Sequence, residues 1–152
     1  MTEHTVKHHT FTIERTYPAT VARVFRAWSD PDVKGRWFAG AGNKYELDFR
    51  VGGIEVNRAV APGGTVMVFE SRYHDIVAGE RIVYNSTLSG DGVVSTVSLT
   101  TVEFCAGGDA TRLVLVEQGT FLDGQEQPGW REQGTSNWLD ALGAELRAVG
   151  AS

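Results

Sequence analysis

An arginine spaced among apolar residues is the first feature of this chain that could do chemistry. In the alternating set Ile54, Val56, Arg58, Val60 only Arg58 is charged, and a guanidinium turned toward a dry interior needs an anion, because an unpaired buried charge is strongly disfavoured. That anion could be an acidic neighbour such as Glu70, water at a rim, or the carboxylate or phosphate of a ligand. Tyr45, Tyr73 and Tyr84 each join an apolar ring to a hydroxyl, as the wall of a pocket for a partly polar molecule requires, although each could equally be a core residue. Arg131 sits in the first turn of a helical segment, where its stem can pack at a pocket mouth while its head reaches water.

The remaining chemistry-bearing residues assemble no known catalytic signature. Gly40-Ala41-Gly42 lacks the third glycine of a dinucleotide loop, no G-x-S-x-G occurs, and Cys105 has no motif around it. His4 and His8 stand four apart beside His9, a ligand spacing on a helix, but at a chain end whose histidines are expected to be solvated. His74 alternates with Tyr73 and is expected to face outward. No metal, cofactor or catalytic residue is therefore assigned.

The totals narrow the setting. A length of 152 residues fits one domain spanning 1–152. A net charge of -5 with a pI near 5.3 and no Lys/Arg block leaves no electrostatic footprint for nucleic acid. One cysteine cannot close a disulfide within the chain, and no signal-peptide pattern opens it, so a cytoplasmic location is the expectation. No apolar run approaches the roughly 18 residues that span a bilayer.

The elements that must position these residues follow from periodicity. Residues 9–17 alternate as a half-buried strand; after Pro18, Thr20 caps a short helix whose apolar face is Val21, Val24, Phe25 and Trp28. Asp30-Pro31 opens a second short helix with Val33, Trp37 and Phe38 as its apolar side. From Lys44 the period becomes two: Tyr45, Leu47, Phe49 and Val51 are predicted buried, and Lys44, Glu46, Asp48 and Arg50 wet. Gly52-Gly53 turns into a strand with Ile54, Val56, Arg58 and Val60 on one face. After Pro62-Gly63-Gly64, Met67, Phe69, Ser71 and Tyr73 share a face, and Ile82, Tyr84, Ser86 and Leu88 share the next. Residues 93–104 read as strand with an ambiguous inner face, and Leu113 and Leu115 carry a last strand. The only long helical period lies in 129–148, where Thr135, Trp138, Leu139, Leu142, Leu146 and Val149 gather opposite Glu132, Asp140 and Arg147, with Pro128 suited to its start and Gly150 to the position past its end. The fold class is α+β: one strand, two short helices, about six further antiparallel strands, and one long helix to cover the dry face of the bent sheet.

On these residues the chain resembles a known family. VFRAWSDPDVKGRWF, LDFRVGGIEV with Arg50 and Gly52-Gly53, YHDIVAGERIVY, ATRLVLVEQGTF and LDAL are similar, in order, to motifs of the activator of heat-shock protein 90 ATPase homologue-like family within the START-like or SRPBCC superfamily. The chain departs from the pattern at Gly134-Thr135, where the family tends to have Gly-Trp, and carries Trp138 one turn later. The resemblance implies a helix-grip fold, a curved sheet of six to seven strands gripping the C-terminal helix around an apolar cavity.

A curved sheet and a straight helix leave a gap, and the leading expectation places a small hydrophobic or amphipathic ligand, a lipid for instance, in it without catalysis. Its walls would be Phe49, Phe69, Tyr73, Tyr84, Ser86, Trp138 and Leu142, with Trp37 or Phe38 near the entrance and Arg58 as the charged contact. Two alternatives stand beside it. One is an enzyme of cyclase, dehydratase or hydrolase type, in which Arg58 and a tyrosine polarise a carbonyl. The other, which the family's name implies, is a stress-response module that stimulates a chaperone ATPase. A homodimer is compatible with either reading.

Overall fold

The structure, a computed structural model, describes the backbone of residues 4–150 and the side chains of residues 4–148. Strand β1 (Val6–Tyr17) is followed by α1 (Val21–Ser29), α2 (Pro31–Lys34) and a π-helical turn (Gly35–Ala39). Six strands come next: β2 (Lys44–Leu47), β3 (Ile54–Val60), β4 (Val66–Val77), β5 (Arg81–Gly90), β6 (Val93–Gly107) and β7 (Ala110–Leu122). Helix α3 (Pro128–Gly150) ends the described chain. The seven strands form one antiparallel sheet in the order β1-β7-β6-β5-β4-β3-β2, so the chain meanders from β2 to β7 and β1 closes beside β7. Register shifts at Tyr73/Asp75 and Leu88/Ser89 mark bulges, which bend strands and increase twist.

The local signals act as the spacing predicts. Thr20 accepts a hydrogen bond from the Arg23 amide, and the Asp30 carboxylate accepts from the amides of Asp32 and Val33, capping α1 and α2. Gly53 is required by close approach: a Cβ there would lie 2.0 Å from the Asp48 carbonyl oxygen. Gly52 and Gly53 also exchange backbone hydrogen bonds with Tyr73, which ties the β2–β3 turn to β4. Gly150 is the last residue of α3 rather than the one beyond it, and the Val149 side chain lies outside the described residues.

Helix α3 lies across the sheet with Thr135, Leu139, Leu142 and Leu146 buried and Trp138 half-buried. Polar clamps fix it: the Tyr17 hydroxyl donates to the Leu139 carbonyl at 2.8 Å, Arg15 donates to Asp140 and Ser136, Arg23 donates to the Leu146 carbonyl, and Arg36 pairs with Glu145. Gly143 lets the Tyr17 ring approach; a Cβ would stand 3.3 Å from it.

Three expectations about the sheet are corrected. Tyr45, Leu47 and Phe49 do turn inward, but Val51 belongs to the exposed turn and β2 stops at Leu47. In β3 the inward residues are Glu55, Asn57 and Ala59, whereas Ile54, Arg58 and Val60 are exposed. Strand β3 lies near the sheet edge, and a buried cation from α2 makes Glu55 its inward partner, so charge pairing overrides the apolar count on the other face. Nor is the inner face dry: Ser71, Ser86, Ser98, Thr100, Thr111 and Glu117 are buried on it.

Candidate functional site

Beneath α2, one charge pair organises the interior. Lys34 and Glu55 are each 1% exposed, with Nζ 2.5 Å from Oε2. The same Oε2 accepts from the Tyr45 hydroxyl at 2.5 Å, and Lys34 Nζ donates to the Tyr73 hydroxyl at 3.3 Å. The ammonium also lies 4.6 Å from the Phe38 ring centre and 5.1 Å from that of Trp28, within cation–π range. Burial lowers the Lys34 pKa, with Glu55 opposing. Burial, and after it the Glu55 carboxylate, raise the phenols of Tyr45, Tyr73 and Tyr84 above the ordinary tyrosine range.

A second buried cluster lies under the first turn of α3. Arg131 donates through Nε to Glu117 at 3.0 Å, through one terminal nitrogen to Glu126 at 3.2 Å and through the other to Ser98 at 3.0 Å. Thr100 donates to Glu117, and Thr96 to the same Glu126 oxygen that Arg131 binds. Burial raises the Glu117 pKa despite the opposing guanidinium. The head of Arg131, expected in water, is thus enclosed, with a side chain only 4% exposed.

Space remains in three places between α3 and the sheet, one of them an open, mostly polar groove of about 530 Å³ where Thr12, Glu14 and Arg15 of β1 face Glu132, Gln133 and Ser136 of α3. A gap of about 10 Å³ is enclosed by Trp37, Phe38, Tyr84, Glu117 and Leu139 among others, room for one water at most. Toward solvent lies a cleft of about 200 Å³ between the first half of α3 and strands β3 to β5, lined by Asn57, Ala59, Met67, Leu88, Glu126, Trp130, Arg131 and Gly134. Phe69, Thr135 and Trp138 border both the gap and the cleft. Trp130, 67% exposed, flanks the cleft. A hollow of about 180 Å³ between α1, α2 and α3 is comparable in size, but its Arg23, Arg26 and Arg36 already bind the Leu146 carbonyl, Asp30 and Glu145.

The predicted cavity residues therefore separate. Trp37, Phe38, Phe69, Tyr84 and Trp138 meet around the small gap, but aromatic contacts fill the space the sequence assigned to a ligand, with Phe38 and Trp138 ring centres 4.5 Å apart. Trp37 and Phe38 are buried, not at an entrance. Phe49 and Tyr73 pack together beside the Lys34 pair, with Phe25 against Phe49. Ser86 is buried and hydrogen-bonded to Ser71 at 2.7 Å, and Leu142 is core; neither borders the gap or the cleft. Arg58 is exposed, opposite Lys44 across the β2–β3 ladder, and lines an open hollow at the sheet edge, so it faces no interior ligand. The histidines disperse: His4 lies near Asp123, His8 near Thr120, His9 near Glu132 and His74 near Asn85.

Lys34, Glu55, Glu117 and Asn57 were missed. Lys34 precedes Trp37 by three residues and Phe38 by four, the spacing of one helix face, and Glu117 follows Leu115 by two, the spacing of one strand face. Both signals were legible; their charge argued against burial.

A curved antiparallel sheet gripping a C-terminal helix, with short helices after the first strand, defines the helix-grip class. Residues 18–147 match the family described as activator of Hsp90 ATPase homolog 1-like protein, and the chain belongs to that family. Among solved structures, an uncharacterised protein from Rhizobium leguminosarum is 41% identical with a TM-score of 0.92, over 97% of this chain and 99% of its own. The Mll3558 protein from Rhizobium loti is 45% identical with a TM-score of 0.88, over 93% and 99%. The CV1439 protein from Chromobacterium violaceum is 27% identical with a TM-score of 0.74, over 89% and 94%. No curated protein matches. The fold is one suited to holding a small ligand, and among the described residues no helix is long and apolar enough to cross a membrane.

Proposed function

We propose that this protein binds a small amphipathic molecule in the cleft between the first half of α3 and strands β3 to β5. The observation that carries the reading is the cleft itself: about 200 Å³, walled by Met67, Phe69, Leu88, Trp130 and Trp138, with a few polar groups from Asn57, Glu126 and Arg131. Apolar walls supply burial and a few fixed polar groups supply orientation. The volume is below the roughly 300 Å³ at which ligand pockets commonly begin. The cleft therefore takes a compact molecule, or one end of a longer one.

The enzyme reading loses its residues, since Arg58 points away from the tyrosines it was to assist. Lys34 and Glu55 are chemically capable but sealed from solvent and bonded to each other.

Gly134 supplies the test. It lines the cleft, and a Cβ there would meet nothing within 4 Å. Gly134→Phe adds a ring where space exists and improves helix propensity by about 0.3 to 0.5 kcal/mol relative to glycine. An apolar fluorescent probe titrated into the unaltered protein should bind saturably at one site per chain, and Gly134→Phe should weaken it at least about tenfold at unchanged melting temperature, the equivalent of about 1.4 kcal/mol. Equal binding by both proteins would remove the cleft as the site.

A further inference from the structure

The polar groups that border the cleft are weighted toward acceptors. Asn57 donates through Nδ2 to the Ala39 carbonyl at 3.1 Å, which commits its amide donor, and its Oδ1 is buried away from the cleft. Glu126 uses Oε1 for both Thr96 and Arg131, and among the described residues its Oε2 receives no hydrogen bond. The hydroxyl of Thr135 is committed as a donor to the Arg131 carbonyl at 2.9 Å.

The cation of the lining is already matched. Each guanidinium nitrogen of Arg131 has a partner, and two carboxylates, Glu117 and Glu126, stand within 3.2 Å of it. A ligand anion would have to compete with both, at the cost of leaving one of them buried and unpaired. A ligand donor meets the opposite situation: the second oxygen of the Glu126 carboxylate, which Thr96 and Arg131 leave unused, in a cleft that the rings of Trp130 and Trp138 also line. Aromatic faces attract ammonium groups, most strongly where water is excluded.

Resting on the cleft as the binding site, we infer that its ligand is an amphipathic donor, a compact apolar or aromatic body carrying a primary amine or ammonium. The apolar body lies against Met67, Leu88 and the indole rings, and the nitrogen is held by Glu126 Oε2. The chemical class is the reverse of the anion that an inward Arg58 would have selected.

Three probes of one size test this: phenethylamine, 2-phenylethanol and phenylacetate, titrated separately at physiological salt with backbone amide shifts followed by NMR. The expected order is amine, then alcohol, then carboxylate, with the amine about three- to tenfold tighter than the alcohol, the margin of a charge-assisted over a neutral hydrogen bond. Glu126→Gln keeps acceptors for Thr96 and Arg131 and should reduce the amine to the level of the alcohol, while the exposed Glu103→Gln leaves the order unchanged. A carboxylate that binds as well as the amine would overturn the inference and leave the cleft standing. So would an amine preference that survives Glu126→Gln, because the attraction would then come from the overall negative charge. Failure of all three probes to bind would overturn the cleft itself. The series on the unaltered protein decides even if the variant misfolds.

Discussion

Lys34 and Glu55 form the most deeply buried ion pair among the described residues. Two charges removed from water are tolerated because each is paired and the remaining valences are filled by Tyr45, Tyr73 and the surrounding rings. Removing one partner strands the other. Lys34→Met should therefore cost about 3 to 5 kcal/mol of stability, and adding Glu55→Gln to it should restore part of that loss, because the uncompensated charge is gone. Urea unfolding of the two variants measures both effects; a double variant no more stable than the single one would show that shape, not charge, sets the cost. The tyrosines give a second residue-scale prediction. All four, Tyr17, Tyr45, Tyr73 and Tyr84, have phenols raised by burial. A folded pKa above the unfolded one means the native state holds its proton more tightly, so this contribution to stability is present below about pH 10 and is lost as pH rises beyond it. Ultraviolet titration should show no phenolate until the protein unfolds, and phenolate absorbance with native circular dichroism would refute the burial of at least one ring.

At the scale of elements, α3 is the part that the sequence describes best. Thr135, Trp138, Leu139, Leu142 and Leu146 turn to the sheet as a period of 3.6 requires, because a helix covering a sheet obeys one rule along its whole length. Leu142, fully buried, should cost about 2 to 5 kcal/mol when cut to alanine, read as a shift of the unfolding midpoint. A cost below about 0.5 kcal/mol, a surface value, would mean that the helix does not sit as described. Strand β3 shows where periodicity fails. Its two faces differ by parity alone, and the face richer in Ile and Val is the outer one, because Glu55 answers a lysine 21 positions earlier in the chain. A pairing across elements leaves no trace in local alternation, so Arg58 took the role that belongs to Glu55. The inner faces of β4 and β5 were legible, since their aromatic residues alternate with polar ones, whereas Glu117 in β7 needed Arg131 to make sense of it.

For the whole molecule, the helix-grip architecture was legible from element order and motif resemblance, while the size and place of its cavity were not. Cavity volume depends on how large rings interlock, and Phe38, Phe69 and Trp138 interlock closely enough to leave a gap of about 10 Å³ where a ligand chamber was expected. The open cleft on the solvent side of Phe69, Thr135 and Trp138 is the space that the proposal assigns to binding. Those three residues also border the gap, so the cleft and the interior are separated by one layer of side chains. Trp138→Ala should join them and admit larger apolar probes than the unaltered protein accepts, at a stability cost of about 2 to 3 kcal/mol, below the range for a fully buried aromatic residue because Trp138 is half-buried. Probe binding limited to the same sizes in both proteins would contradict that layer's role.

The central claim, that the cleft is the binding site, is tested most directly by mapping where a bound molecule touches the protein. Amide and indole NMR signals followed during titration with 2-phenylethanol, whose neutrality keeps general electrostatic attraction out of the result, give that map. Saturable shifts at Ala59, Met67, Leu88 and Gly134 and at the indole of Trp130, with the Arg23, Arg26 and Arg36 hollow unmoved, are the predicted result. Shifts concentrated at that hollow, or no saturable shifts at the cleft, would contradict it.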